Sequence, residues 1–229
     1  MVDLKKLAAR NVARWSGAKL TRPFDGAARR LVDARARYRS VEAMTGVPWF
    51  VIAVIHQRES AQDWSRSLAQ GDPWNKVSTH VPKGRGPFVS WEVAAIDALA
   101  NCAPYAARNT DWSLGGTLLL LERYNGLGYA TKGVPSPYLW AGTDRYVAGK
   151  YVRDGVYDAT AVDKQPGCAG LLKAMMAVDG GIAFADASAP EKPPPDPAPA
   201  SQPAPVQPPV RAAFFMAVVL AVAGLFKRT

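Results

Sequence analysis

The chain is 229 residues long, 48% hydrophobic and 21% charged, proportions that suit one globular domain of ordinary size with additional segments. A formal net charge of +9 favours partners that carry negative charge, whether nucleic acid, anionic lipid or anionic cell wall, without choosing among them. Two cysteines, Cys102 and Cys168, are too few for a disulfide framework. With only His56 and His80 beside them, a closed four-ligand metal site would need carboxylates, so no metal and no cofactor is expected.

The first forty residues hold much of the basic excess: Lys5, Lys6, Arg10, Arg14, Lys19, Arg22, Arg29, Arg30, Arg35, Arg37 and Arg39 stand against Asp3, Asp25 and Asp33. Leu4, Leu7, Ala8, Val12 and Trp15 recur near helical spacing and predict a short amphipathic helix, with a second helical stretch from Gly26 to about Thr45. Residues 1–40 read as a basic helical region, either an arm for an anionic surface or a solvated face packed on the domain. No apolar core of a cleavable signal peptide stands in MVDLKKLAARNVARW.

Residues 41–186 read as the folded domain. Apolar stretches predict helices at Trp49 to Arg58, Trp91 to Ala100, Ser113 to Tyr124 and Gly167 to Val178, the first with a proline near its start at Pro48. Turn formers crowd the stretch from Gly71 to Gly86, which reads as an irregular or short hairpin lobe. The expected class is mainly α, with a small irregular or β lobe.

Residues 187–209 are dominated by Pro, Ala and Ser, a composition that favours an extended polyproline spacer. Residues 210–229 contain the uninterrupted apolar run Ala212 to Phe226, with Arg211 before it and Lys227 and Arg228 after it. That run is a little shorter than the ~20 residues a bilayer core requires, but basic flanks can snorkel. A C-terminal membrane segment is expected, its topology left open by basic residues on both sides.

For chemistry, WFVIAVIHQRES places Glu59 at the end of an almost wholly apolar helix. A carboxyl at the edge of an apolar core tends to stay protonated near neutral pH, as a glycosidic general acid must. The alternative is an ordinary glutamate paired to Arg58 or Arg66. Asp63, Asp72 and Thr79 with His80 follow within reach of cooperation, though Asp72 before Pro73 is also a common turn residue. The stretch Leu121 to Trp140 carries Tyr124, Asn125, Tyr129, Tyr138 and Trp140. Such rings and amides suit sugar recognition, with helix capping at Asn125-Gly126 and core packing of the rings as the competing account.

Taken together, HQRES at 56–60, GDPW at 71–74, THVP at 79–82, WEVAAIDAL at 91–99 and RYNGLGY with SPYLW at 123–140 resemble lysozyme-like peptidoglycan hydrolases of phages and bacteria. The resemblance covers roughly Val41 to Gly155. It implies a lysozyme-like α+β domain and a muramidase activity on the glycan strands of peptidoglycan. It further implies Glu59 as the acid, Asp72 and Thr79 as echoes of the aspartate and threonine that follow the glutamate in phage lysozymes, and Tyr124 and Asn125 in the glycan cleft. The spacing from Glu59 to Asp72 and Thr79 is longer here than in that pattern. A Gly-Leu-Met-Gln-type strand after the Glu-Ser pair, typical of lytic transglycosylases, is absent, which favours hydrolysis. A transglycosylase with the same acid and a non-catalytic, membrane-tethered wall-binding protein are the alternatives. No recognised reader motif supports specific nucleic-acid binding.

Overall fold

A computed structural model describes residues 2–69, 71–80 and 82–186. Among these residues the fold is mainly helical, with nine α-helices, one 3-10 turn and a single two-stranded hairpin. The expected membrane segment at 210–229 and the spacer at 187–209 lie outside the described residues. Among the described residues no helix is long and apolar enough to cross a membrane.

The centre is α4 (Trp49–Ser60). Pro48 supplies a fixed φ of −56° just before its first turn, and ten consecutive residues from Trp49 to Arg58 are buried. A helix buried on every face needs neighbours all round. They are α3 (Arg35–Thr45), α2 (Asp25–Asp33) and α9 (Cys168–Val178), all packed against α4. Around this group, α5 (Trp91–Asn101) packs on α3, and α6 (Leu114–Tyr124) packs on α1 (Leu4–Gly17). Ser90 caps α5 by accepting from the Val93 N–H, and Ser113 caps α6 by accepting from the Gly116 N–H.

The basic region is part of this body rather than an appended arm. Leu7 and Asn11 of α1 are buried, and the Asn11 amide donates to Glu122 Oε2 of α6 at 3.3 Å across the interface. Phe24, Ala28 and Leu31 belong to the main core. The helical stretch expected over 26–45 is two helices. The chain leaves helical geometry at Ala34 (φ −83°, ψ 6°), which lets α2 lie along α9 while α3 turns toward α5.

Residues 71–80 and 82–86 are irregular, and an isolated bridge between Arg66 and Pro73 stands in place of a ladder. The hairpin lies later, β1 (Lys150–Arg153) against β2 (Val156–Asp158), antiparallel with a register irregularity between Tyr151 and Arg153. Two short helices precede it, α7 (Gly128–Lys132) and α8 (Pro137–Trp140). Cys102 and Cys168 are both buried free thiols, so they do not pair.

Candidate active site

Glu59 sits in the last turn of α4, where the helix leaves the core. Immediately after it, Ala61 (φ 54°) and Gln62 (φ 63°) both adopt the left-handed conformation. Two successive non-glycine residues of this kind cost roughly 1 kcal/mol or more each and persist only where the surroundings fix them. Here the Ala61 N–H closes the helix on the Gln57 carbonyl, and the Gln62 amide donates to the Arg30 carbonyl. Gly71 then folds back over the helix end. Its φ is +68°, and a Cβ there would stand 3.0 Å from the Glu59 carbonyl oxygen, so the loop can approach the acid only without a side chain.

The Glu59 carboxyl is half-buried and receives one direct hydrogen bond, from the Tyr138 hydroxyl to Oε1 at 2.8 Å. Burial raises its pKa from 4.5 to about 7, against the Tyr138 hydrogen bond and the positive charge of Arg58, which favour the ionised form. Arg58 does not pair with Glu59. Its guanidinium is bonded to Asp163 Oδ2 at 3.0 Å, both side chains almost fully buried, and lies 4.8 Å from the Tyr138 ring centroid. The Asp163 backbone N–H donates in turn to the Tyr146 hydroxyl at 3.0 Å. Tyr138 is therefore clamped from behind by a cation that has its own counterion. Arg66, the other expected partner, pairs with Asp63.

Tyr124 stands on the same side of the acid. Its hydroxyl donates to the Leu68 carbonyl at 3.3 Å. The phenols of Tyr124 and Tyr138 are both pushed well above their ordinary pKa, first by burial and then by the negative charge of Glu59. The three side chains thus form one electrostatic group.

The remaining expected residues are placed differently. Asp72 is buried and fully engaged in shaping its loop. Its Oδ2 accepts from the Thr79 and His80 backbone N–H groups, each at 3.1 Å, and its Oδ1 from His80 Nδ1 at 2.7 Å. The His80 backbone donor, with the imidazole and the Thr79 N–H, holds the Asp72 carboxyl below the usual range. A carboxylate so occupied and so weakly basic is suited to holding a loop rather than to taking a proton from water. The Thr79 side chain is exposed, and that residue meets Asp72 only through its backbone. Asp63 is tied to the Ser65 hydroxyl and N–H and to Arg66, and the Ser65 hydroxyl holds its carboxyl low.

Of the aromatic residues, Trp140 has no exposed surface and belongs to the core, so its ring presents no face to a sugar. The expectation that it binds substrate fails because the four-residue helix α8 turns Tyr138 toward Glu59 and Trp140 inward. Tyr129 is largely buried; its hydroxyl accepts from the Tyr151 N–H at 3.0 Å. Asn125 is exposed at the C-terminal end of α6 and, with Tyr129, lines a cavity beside the hairpin.

His56 is a core residue. A carbonyl can only accept, so Nε2–H donates to the Asp63 carbonyl at 3.1 Å, and Nδ1 then accepts from the Tyr38 hydroxyl at 2.9 Å. Burial lowers its pKa to about 4, and its ring packs against Trp64 and Trp91. Both nitrogens are occupied, which leaves none for a metal or for proton transfer. Asp163 and Tyr146 were not foreseen from sequence, and Arg58 was considered only as a partner of Glu59; the Arg58–Asp163 pairing spans more than a hundred residues, and no local signal marks it. Comparison with protein-family models, with curated proteins and with solved structures finds no match to this chain.

Proposed function

We propose that the protein is a peptidoglycan-cleaving enzyme of lysozyme-like type, a muramidase that breaks the β-1,4 glycan bond with Glu59 as general acid. The observation that carries the reading is the Glu59 carboxyl itself: half-buried at the end of an apolar helix, with its pKa at about 7 and one fixed donor on Oε1. Because Tyr138 occupies Oε1, the acidic proton belongs on Oε2, which is the oxygen left to meet a glycosidic oxygen. Transfer of that proton lets the bond from the anomeric carbon to the leaving oxygen break. Water then adds to the positively charged anomeric carbon and gives up its proton to the Glu59 carboxylate, which restores the acid. The carboxylate left behind is stabilised by Tyr138 and by the nearby Arg58 charge.

A second reading keeps the same acid but ends differently. Asp63 and Asp72, the two candidates for directing water, are both engaged elsewhere. Attack by the sugar's own 6-hydroxyl, as in a lytic transglycosylase, needs no such carboxylate. Muropeptide analysis separates the two: new reducing ends at muramic acid support the muramidase, and 1,6-anhydro ends support the transglycosylase. The polyproline composition of 187–209 and the apolar run in 210–229 support attachment to the bacterial inner membrane, with the catalytic body reaching wall glycan across the spacer.

The test of the acid is lysis of outer-membrane-permeabilised Gram-negative cells by the parent and by Glu59→Gln, a near-isosteric change. A loss of ~100-fold or more is expected from removing a general acid. Equal activity in both removes Glu59 from the reaction, and inactivity in both favours a wall-binding protein without turnover.

A further inference from the structure

The hairpin β1–β2 and the end of α6 border an open cavity of about 330 Å³ lined by Asn125, Tyr129, Tyr151, Arg153, Asp154 and Gly155. Its chemistry differs from that of a sugar cleft. It offers a guanidinium and a carboxylate from successive residues at the hairpin turn, a carboxamide and two phenols. Among the described residues no ion pair and no side-chain hydrogen bond engages Arg153, Asp154 or Asn125. The lining is also built with little slack. Gly128, at the start of α7, lies so close to Tyr151 that a Cβ there would stand 3.0 Å from the phenolic oxygen. Gly155 (φ +69°) makes the turn that carries Arg153 and Asp154.

Its volume lies at the low end for ligand sites and accommodates one small polar group. Sugar hydroxyls can hydrogen-bond to Arg153 and Asp154 but neutralise neither charge. A group bearing a free carboxylate and a free ammonium satisfies both, the carboxylate on Arg153 and the ammonium on Asp154. Peptidoglycan strands carry such groups on their short stem peptides, at uncrosslinked diamino acid residues. Asn125 stands at the end of α6, directly after Tyr124, whose phenol feels the charge of Glu59.

We infer that this cavity is a stem-peptide subsite that recognises the zwitterionic end of an uncrosslinked diamino acid. The inference rests on the peptidoglycan reading of the Glu59 site and deepens it: the enzyme selects glycan bonds next to uncrosslinked, unamidated peptides.

The test is a binding titration of the full-length Glu59→Gln chain, so that turnover plays no part. The probes are the muramyl disaccharide, the same disaccharide bearing a tripeptide that ends in meso-diaminopimelate, its side-chain-amidated form, and the free tripeptide. The peptide-bearing disaccharide is expected to bind about tenfold or more tighter than the bare one. Adding Arg153→Ala, or amidating the ligand, should each remove most of that difference, and the two together should do no more than either alone. Gly128→Ala, which crowds Tyr151, should weaken only the peptide-bearing ligand. Equal affinity for both disaccharides, or an undiminished preference in the Arg153→Ala chain, overturns the subsite and leaves the glycan reading standing. Binding of the free tripeptide with no binding of the bare disaccharide keeps the subsite and sinks the glycan reading. Failure of every probe sinks both.

Discussion

Replacing Tyr138 by phenylalanine deletes a single oxygen, the one that donates to Glu59 Oε1 at 2.8 Å, and keeps the ring against Arg58. The lost bond favours the carboxylate over the acid, so its removal leaves burial less opposed and the proton stays on Glu59 to higher pH. A hydrogen bond to a charged group is worth about 1.5–3 kcal/mol. At 1.36 kcal/mol per pKa unit, the alkaline limb of kcat/KM, set near pH 7 by Glu59 in the parent, should move upward by roughly one to two pH units. The acid-side plateau should also drop, by up to about tenfold, because nothing then fixes which oxygen carries the proton. The assay is the initial rate of release of reducing ends from purified sacculi between pH 5 and 10, at constant ionic strength. A limb that stays in place or moves to lower pH refutes the account of Tyr138 as the donor that opposes burial.

Further outcomes follow from neighbouring groups. Glu122, almost wholly buried between α1 and α6, has its carboxyl raised from 4.5 to about 7 by burial, against Asn11 and the charges of Arg14 and Arg10. The folded state then holds more protons than the unfolded chain between those values, so stability falls as pH rises through that window. Glu122→Gln should match the parent in thermal unfolding near pH 4 and exceed it at pH 8 by about 1–3 kcal/mol; equal unfolding at pH 8 contradicts this. Asp72→Asn removes charge-assisted bonds that hold Thr79 and His80. It should lower stability by about 1–3 kcal/mol in urea titrations while keeping activity per folded molecule within about tenfold. A folded Asp72→Asn chain with a kcat loss of ~100-fold would return Asp72 to the reaction.

The helices were readable because each carries its own signal. Pro48, Ser90 and Ser113 mark starts, and the apolar run before Glu59 announces a helix with no exposed face. The break at Ala34 was not readable, because arginine and alanine favour helix on both sides of it and tertiary packing decides the bend. The hairpin at 150–158 escaped notice because its strands are three and four residues long and hold no buried residue, so no buried alternation marks them. Within the site, Glu59 followed from its place in the apolar pattern. Tyr138 and Trp140 stand two residues apart in one aromatic segment, and only the four-residue helix α8 separates a ligand of the acid from a core ring. Asp72 shows the opposite limit. The carboxylate was visible in the sequence, but the three donors that occupy it were not.

The packing of α1 on α6 and of α2 and α3 on α4 bears on how the molecule meets its target. A detachable cationic tail would act as a leash, letting the catalytic body dangle near an anionic matrix in any orientation. Here the cationic helices and Glu59 belong to one compact unit, so under the proposed wall-directed function attraction to an anionic matrix would orient the body as well as draw it in. Ionic strength then acts on the rate of productive encounter. A fragment trimmed to residue 40 is not expected to fold, since it loses α2 and half of α3, which bury the helix of Glu59.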